Sequence, residues 1–210
     1  MSNEQTLKMT ELDYLTAAPH LQMIKAALPY INIQEQRIFS LLVKIGELER
    51  TVQLFGKKEE PKMELAAPLA GEAVSISQVN DPTFSDEILG KGLAIRPTGN
   101  EVFAPCDGKI EMMFDTGHAV SMTSNDGIEI LIHVGLETVN LKGKYYQVHA
   151  ANGDQVKKGQ KLISFDREAI AAEGYDVITP IVICNSDQFT AIEPHTGTVS
   201  VGDVVLTLKK

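Results

Sequence analysis

The sequence predicts an all-β sandwich or barrel-like domain of antiparallel strands, preceded by an α-helical appendage. From residue 64 onward, short runs of β-branched and apolar residues alternate with Gly, Pro, Asp and Asn at close intervals, which is typical of all-β domains. Residues 118–133 contain two such runs around a Ser-Asn-Asp-Gly turn, a strong hairpin signal. Residues 1–55 instead space their apolar side chains at helical intervals.

The appendage is predicted to contain about two helices. The first is bounded by Pro19 and Pro29, which suit a helix start and a helix end. Two helices bury too little apolar surface to be stable by themselves. We therefore expect residues 10–55 to self-associate, to dock on the larger domain or to hold a partner. The second helix carries one apolar stripe, formed by Ile38, Leu41, Leu42, Ile45, Leu48, Val52 and Phe55.

A charged stretch at residues 56–63 contains a proline and is predicted to be a linker, so the larger domain is expected to occupy residues 64–210. Charge is unevenly distributed. Residues 1–62 carry eight Lys/Arg and eight Asp/Glu, whereas residues 63–210 carry 11 Lys/Arg and 20 Asp/Glu. This acidic balance argues against nucleic acid or an anionic membrane as the partner and suits a basic protein.

Cellular location and redox state are indicated by what the sequence contains. Its apolar runs are shorter than the roughly 20 residues of a membrane helix, and the first residues do not resemble a secretory signal. Cys106 and Cys184 lie far apart without a CxxC spacing. We therefore expect reduced, buried thiols in a cytoplasmic protein.

Two histidines lie at the ends of the predicted hairpin. A two-residue turn at Asn125 and Asp126 places His118 directly opposite His133, with their Cβ atoms about 5 Å apart. Thr116 is then expected on the same strand face as His118. Two imidazoles so close together indicate a metal site, an acid/base pair or a site for a phosphoryl group.

Sequence motifs around these histidines resemble those of a known family. Residues 127–139 (GIEILIHVGLETV) match its phosphorylation-site motif, and residues 116–118 (TGH) match its second-histidine motif. Through these motifs, residues 72–210 resemble the glucose-class IIA component of the bacterial phosphoenolpyruvate–sugar phosphotransferase system. Further matching motifs are GLAIRPTG at 92–99, APCDG at 104–108 and TPIVICN at 179–185.

The resemblance implies a phosphocarrier role. His133 is implied to be the phosphorylated nucleophile, His118 to stabilise the phosphoryl group, and Thr116 to orient His118. Neutral imidazole is a nitrogen nucleophile, and its phosphoramidate remains a good phosphoryl donor. The implied donor is phospho-HPr and the implied acceptor is a cysteine on a IIB domain of a sugar permease. No cofactor is required, and the sugar itself is not predicted.

A partner-binding face around the histidines is also implied by the resemblance. Apolar contacts there would exclude water, while carboxylates at the rim would attract a basic partner. The apolar members are Phe84, Ile88, Leu89, Phe114, Leu131 and Val139, and the rim carboxylates are Asp81, Asp86, Glu137 and Asp187.

Three alternatives remain open at this point. Paired histidines are common zinc ligands, but the fourth residue after His118 is Met122 and no His-x-His occurs. An intrinsic zinc site is therefore not expected, whereas the resemblance allows zinc shared by His118, His133 and a partner carboxylate. A biotinyl or lipoyl carrier is suggested weakly by Lys62 and by GDQVKKG at residues 153–159. The third is a regulatory module that binds protein targets according to His133 phosphorylation, with the helical segment as its output.

Overall fold

The structure, a computed structural model, describes Lys44 and residues 62–210. Lys44 is helical and exposed, and the rest of the predicted helical segment lies outside the described residues. The predicted self-association of residues 10–55 therefore stays a prediction. Among the described residues, no helix combines the length and the apolar character that a membrane crossing requires.

Residues 62–210 form short strands connected by turns and a few short helices. The strands are β1 (Lys62–Ala66), β2 (Gly71–Ser75), β3 (Lys91–Pro97), β4 (Glu101–Phe103), β5 (Gly108–Met113), β6 (Ala119–Ser124), β7 (Glu129–His133), β8 (Tyr146–Val148), β9 (Gln155–Val156), β10 (Lys161–Phe165), β11 (Thr179–Ile183), β12 (Ala191–Pro194), β13 (Gly197–Val199) and β14 (Val204–Lys209). The α-helices are α1 (Pro82–Ser85) and α2 (Arg167–Ala172), and 3-10 turns form at Ile76–Gln78, Thr138–Leu141 and Ser186–Gln188.

All described strand pairs are antiparallel, as predicted. The largest sheet has the order β13-β2-β3-β11-β7-β6-β5-β9, and two three-stranded sheets have the orders β1-β14-β12 and β4-β10-β8. Strand β1 begins two residues before the predicted domain start at residue 64. The reason is that Lys62 and Met63 pair with Lys209 and Leu208 of β14.

The large sheet is covered on both faces. On β7, Ile130 and Ile132 are fully buried in the main core. The alternate residue Leu131 packs against a smaller apolar cluster that contains Phe84 of α1. Because side chains alternate across a strand, His133 belongs to the same face as Leu131. The histidine at the end of β7 is thus directed away from the main core.

The domain contains two short α-helices among its described residues. The α2 helix covers Arg167–Ala172, and α1 carries Phe84, one of the candidate site residues. Asp81 begins α1 by accepting a hydrogen bond from the Thr83 amide at 2.8 Å. An N-cap Asp followed by Pro82 at the first helical position is a recognisable start signal.

The hairpin of β6 and β7 differs by one residue from the predicted register. Ala119, not His118, pairs with His133. The loop holds three residues instead of two, and its last residue, Gly127, has φ +81°. A three-residue loop that ends on a left-handed glycine is a common hairpin connection, and the extra loop residue shifts every pair of the ladder by one.

The two thiols are free, but the prediction that both are buried is wrong. Cys106 is half-buried and Cys184 is exposed. Burial, with help from the Asp107 charge, raises the pKa of Cys106 to about 12, so its thiol stays protonated at neutral pH. Cys184 directly follows the fully buried strand β11, where the chain reaches the surface.

Candidate functional site

The two predicted histidines lie together, although they are not paired across the ladder. Their ring centroids are 4.8 Å apart and the rings are nearly perpendicular. His118 precedes β6, and its carbonyl accepts a hydrogen bond from the Val134 amide at 2.7 Å. Gly117, immediately before it, has φ +67°, a conformation that side-chain-bearing residues rarely adopt. His118 therefore lies in the bend before β6, beside the end of β7, and is not paired with His133 in the ladder.

The protonation of the His133 ring follows from one contact. His133 Nδ1 lies 2.7 Å from the Gly135 carbonyl oxygen. A carbonyl only accepts hydrogen bonds, so Nδ1 carries the proton and donates it. In the neutral ring, Nε2 is therefore the nitrogen with the lone pair.

Thr116 contacts His118 as the orienting role requires. Its hydroxyl is hydrogen-bonded to His118 Nδ1. Thr116 lies in a turn before β6, however, and not on a strand, so the predicted shared strand face is wrong. A threonine hydroxyl that donates to Nδ1 leaves the ring proton on Nε2, and it fixes the ring orientation.

Two phenylalanines line the histidine pair. The Phe84 ring lies 5.4 Å from that of His133, and the Phe114 ring lies 5.5 Å from that of His118. Phe84 is only 5% exposed, so it forms a wall of the site more than a surface for docking. Phe114 is half-buried.

The remaining apolar candidates are exposed or half-buried. Ile88 is 70% exposed and Val139 is 49% exposed. Leu89 is 38% exposed, and Leu131 is half-buried against the Phe84 cluster. Large apolar side chains with this exposure lose unfavourable water contact when a partner covers them.

The acidic candidates lie at different distances from the histidines. Asp81 is close enough to raise the pKa of His133, while Asp86 and Glu137 are exposed. Asp187 is exposed in the 3-10 turn after β11, near the first residue of β7. Glu129 and His133 are the two ends of β7, so Asp187 lies towards the end of that strand away from His133.

Burial keeps both rings neutral. It lowers the pKa of His118 to about 4, and the neighbouring His133 lowers that pKa further. Burial also lowers the pKa of His133, while the hydrogen bond to Gly135 and the Asp81 carboxylate oppose that change. At neutral pH each ring thus has one unprotonated nitrogen, and the site holds no imidazolium.

The depressed pKa of His118 predicts a pH-dependent stability. Its pKa rises from about 4 in the folded state to 6.5 in the unfolded state, so the unfolded chain binds more protons between these values. The stabilisation is complete above pH 6.5 and is lost as the pH falls towards 4, by on the order of 3 kcal/mol in total. Urea unfolding between pH 7 and 4 measures this loss.

The control for this prediction is His118→Gln, which cannot titrate. Its stability should fall less than that of the wild type across the same pH range. Ring ¹⁵N shifts that show His118 titrating near 6.5 in the folded protein would contradict the prediction.

The peptide next to His133 is held by residues that the sequence analysis did not single out. The Val134 carbonyl accepts hydrogen bonds from the Tyr146 hydroxyl at 2.9 Å and from the Thr138 hydroxyl at 2.8 Å. No local pattern indicates Tyr146, because its contact joins residues twelve positions apart in an irregular part of the chain.

Position 135 can hold only glycine without strain or crowding. It has φ +79°, and an added Cβ would lie 2.6 Å from Thr138 Cγ2 and 2.8 Å from the Asp176 carbonyl oxygen. We expect Gly135→Ala to lower the free energy of unfolding by about 3 kcal/mol, from backbone strain and crowding together.

Gly153→Ala is the matched control for that substitution. Gly153 has φ +87°, but nothing lies within 4 Å of its added Cβ, so only backbone strain of about 1–2 kcal/mol remains. Urea unfolding compares the two variants, and equal losses would show that crowding at Gly135 is unimportant.

A resident metal would need more ligands than the two histidines. Among residues 62–210, no group of three or more His, Cys, Asp or Glu side chains is arranged to hold a metal ion. His118 and His133 supply two nitrogens to any shared site, and a further ligand has to come from a partner.

Comparisons with known proteins agree on one family. Residues 63–189 match the family model described as phosphoenolpyruvate-dependent sugar phosphotransferase system, EIIA 1. The glucose-specific EIIA component of Haemophilus influenzae is 44% identical over 161 residues, which cover 75% of this chain and 97% of that protein. The glucose-specific EIIA component of Borreliella burgdorferi is 44% identical over 140 residues, which cover 67% of this chain and 74% of that protein.

A multidomain relative and a solved structure extend this similarity. The beta-glucoside-specific EIIBCA component of Dickeya chrysanthemi is 48% identical over 130 residues. The match covers 62% of this chain but only 21% of that longer protein. The structure titled glucose permease IIA from Mycoplasma capricolum superimposes with a TM-score of 0.68 at 33% identity. That match covers 71% of this chain and 97% of the other.

Proposed function

Because this chain belongs to the EIIA 1 family of the phosphoenolpyruvate-dependent sugar phosphotransferase system, and is a glucose-class phosphocarrier component, we propose that His133 carries the phosphoryl group. The hydrogen bond from Nδ1 to Gly135 supports this role most directly, because it leaves the Nε2 lone pair available. The lowered pKa keeps the ring neutral, and only the neutral ring is a nucleophile.

The accepting step moves one phosphoryl group between two nitrogens. His133 Nε2 attacks the phosphorus of the phosphohistidine on HPr, and the P–N bond of the donor breaks as the new P–N bond forms. The lone pair of the broken bond stays on the donor ring. His133 Nδ1 keeps its proton and its Gly135 contact throughout, so no proton has to move in this step.

His118 acts on the phosphoryl oxygens. We assign the Thr116 hydroxyl as the donor in its hydrogen bond with His118 Nδ1, so the neutral His118 ring carries its proton on Nε2. That N–H donates to the oxygens of a phosphoryl group bound at the neighbouring ring, 4.8 Å away between centroids. A donor that is already oriented stabilises the charge of the in-line transition state without reorganisation.

The donating step returns His133 to its starting state. A cysteine sulfur on a IIB domain attacks the phosphorus, the P–N bond breaks, and its electron pair returns to Nε2. Ile88, Leu89 and Val139 form an exposed apolar surface that excludes water when a partner covers it. The acidic Asp81, Asp86 and Glu137 favour a basic partner and increase the rate of encounter.

Reconstitution tests the assignment of the carrier residue. The full chain is incubated with phosphoenolpyruvate, enzyme I and HPr, and the acid-labile phosphate is mapped by peptide. We expect the label in the peptide that contains His133. A label elsewhere, or no label while HPr itself becomes phosphorylated, would contradict the proposal.

A further inference from the structure

We propose that Tyr146 is a positioning residue that maintains the reactive tautomer of His133. Its hydroxyl donates a hydrogen bond to the Val134 carbonyl. Val134 lies between His133 and Gly135, and the Gly135 carbonyl accepts the hydrogen bond from His133 Nδ1. This inference rests on the proposed role of His133 as the acceptor. It names the residue that keeps the His133 ring in the tautomer with the proton on Nδ1.

The hydroxyl acts on one peptide plane. The Val134 carbonyl and the Gly135 amide belong to the same planar peptide group. Fixing the orientation of that carbonyl therefore also fixes the orientation of the Gly135 amide. Gly135 has φ +79°, a conformation in which glycine has wide freedom. Burial raises the pKa of Tyr146, so the phenol keeps the proton that it donates.

The Tyr146 ring is held independently of its hydroxyl. It stacks on Phe165, with ring centroids 6.4 Å apart and an interplanar angle of 25°. Its Cβ would lie 3.0 Å from a Cβ added at Gly117, the residue before His118. Tyr146 therefore touches the chain segments of both histidines, through its side-chain stem on one side and its hydroxyl on the other.

Loss of the hydroxyl should change the His133 ring. The Thr138 hydroxyl would remain as the only described side-chain donor to the Val134 carbonyl, so the peptide would become freer to rotate. The Gly135 carbonyl would then hold Nδ1–H less firmly. A larger share of rings would carry the proton on Nε2. The lone pair of that tautomer lies on Nδ1, which faces the Gly135 carbonyl, so Nε2 could no longer attack phosphorus.

Tyr146→Phe tests this role because it removes the hydroxyl and keeps the ring. We expect phosphoryl acceptance from phospho-HPr to slow by roughly 10-fold, the lower end of the effects seen when a partner that orients a functional histidine is lost. The ring ¹⁵N shifts of His133 should report a mixture of tautomers in the unphosphorylated protein.

Thr138→Val removes the second donor to the same carbonyl and is the companion variant. It should change the His133 shifts in the same direction. The double variant should slow acceptance by more than the product of the single effects, because each hydroxyl substitutes in part for the other.

Tyr145→Phe is the matched control. It removes a hydroxyl that donates to Glu173 at 2.8 Å, away from the histidines, so acceptance and the His133 shifts should stay at wild-type values. Wild-type His133 shifts in Tyr146→Phe would overturn the inference whatever the transfer rate. Changed shifts in a protein whose label maps to another residue would instead overturn only the proposed carrier role.

Discussion

His133→Ala is expected to reduce phosphorylation by phospho-HPr to background. The substitution removes the nitrogen that forms the new P–N bond, and no neighbouring group replaces it. His118, the nearest imidazole, is held by Thr116 through Nδ1 and is 5% exposed, so it is poorly placed to accept the group from a partner. Quantifying acid-labile phosphate after incubation with enzyme I and HPr measures the loss.

His149→Ala is the control for that experiment. His149 directly follows β8 and is exposed, and its Nε2 is hydrogen-bonded to Ser164 of β10 at 2.7 Å, so its removal should leave phosphorylation intact. Urea unfolding verifies that both variants are folded. Wild-type labelling of a folded His133→Ala protein would exclude His133 as the acceptor.

His118→Gln is expected to separate the two transfer steps. The variant should still accept a phosphoryl group but should donate it to the IIB cysteine about 100- to 1,000-fold more slowly, the usual cost of losing one oriented donor. Accepting uses a neutral imidazole as nucleophile. Donating brings an anionic sulfur towards a dianionic group, so it depends more on the His118 N–H.

Single-turnover kinetics measure both steps. Quenched-flow mixing with phospho-HPr gives the accepting rate, and a chase with the IIB domain gives the donating rate. The glutamine side chain keeps an N–H, but it lacks the ring nitrogen that Thr116 holds in place. Wild-type speed in both steps would contradict the stabilising role of His118.

The identity of the site residues followed from the sequence, but their geometry did not. The two-residue turn predicted from the sequence placed the His118 and His133 rings together, and the rings do lie together. The predicted mechanism of this proximity was wrong, because the loop between β6 and β7 holds one more residue than a two-residue turn. Gly117, immediately before His118, has the left-handed conformation, and no strand periodicity predicts that bend.

Other features of the site differ in how far they can be predicted from the sequence. The α1 helix, which carries Phe84, begins with the Asp81-Pro82 signal, so local sequence reasoning could have found it. The burial of Phe84 depends on the smaller cluster on the outer face of the sheet, which only the tertiary structure defines. The hydrogen bond from Tyr146 to Val134 likewise depends on the tertiary structure, and no local sequence pattern predicts it.

The site owes its chemistry to two neutral rings in defined tautomers. Burial lowers the pKa of both rings and keeps them neutral. The hydrogen bond to the Gly135 carbonyl places the one ring proton of His133 on Nδ1, and the hydrogen bond with the Thr116 hydroxyl orients His118. The His133→Ala and His118→Gln substitutions test the two rings separately.

The most direct measurement is the position of phosphorus on the phosphorylated chain. In protein labelled with ¹⁵N histidine and phosphorylated through enzyme I and HPr, we expect a ³¹P–¹⁵N coupling to Nε2 of His133, with Nδ1 still protonated. A coupling to Nδ1 of His133, or to a nitrogen of any other histidine, would contradict the assignment of Nε2 as the attacking atom.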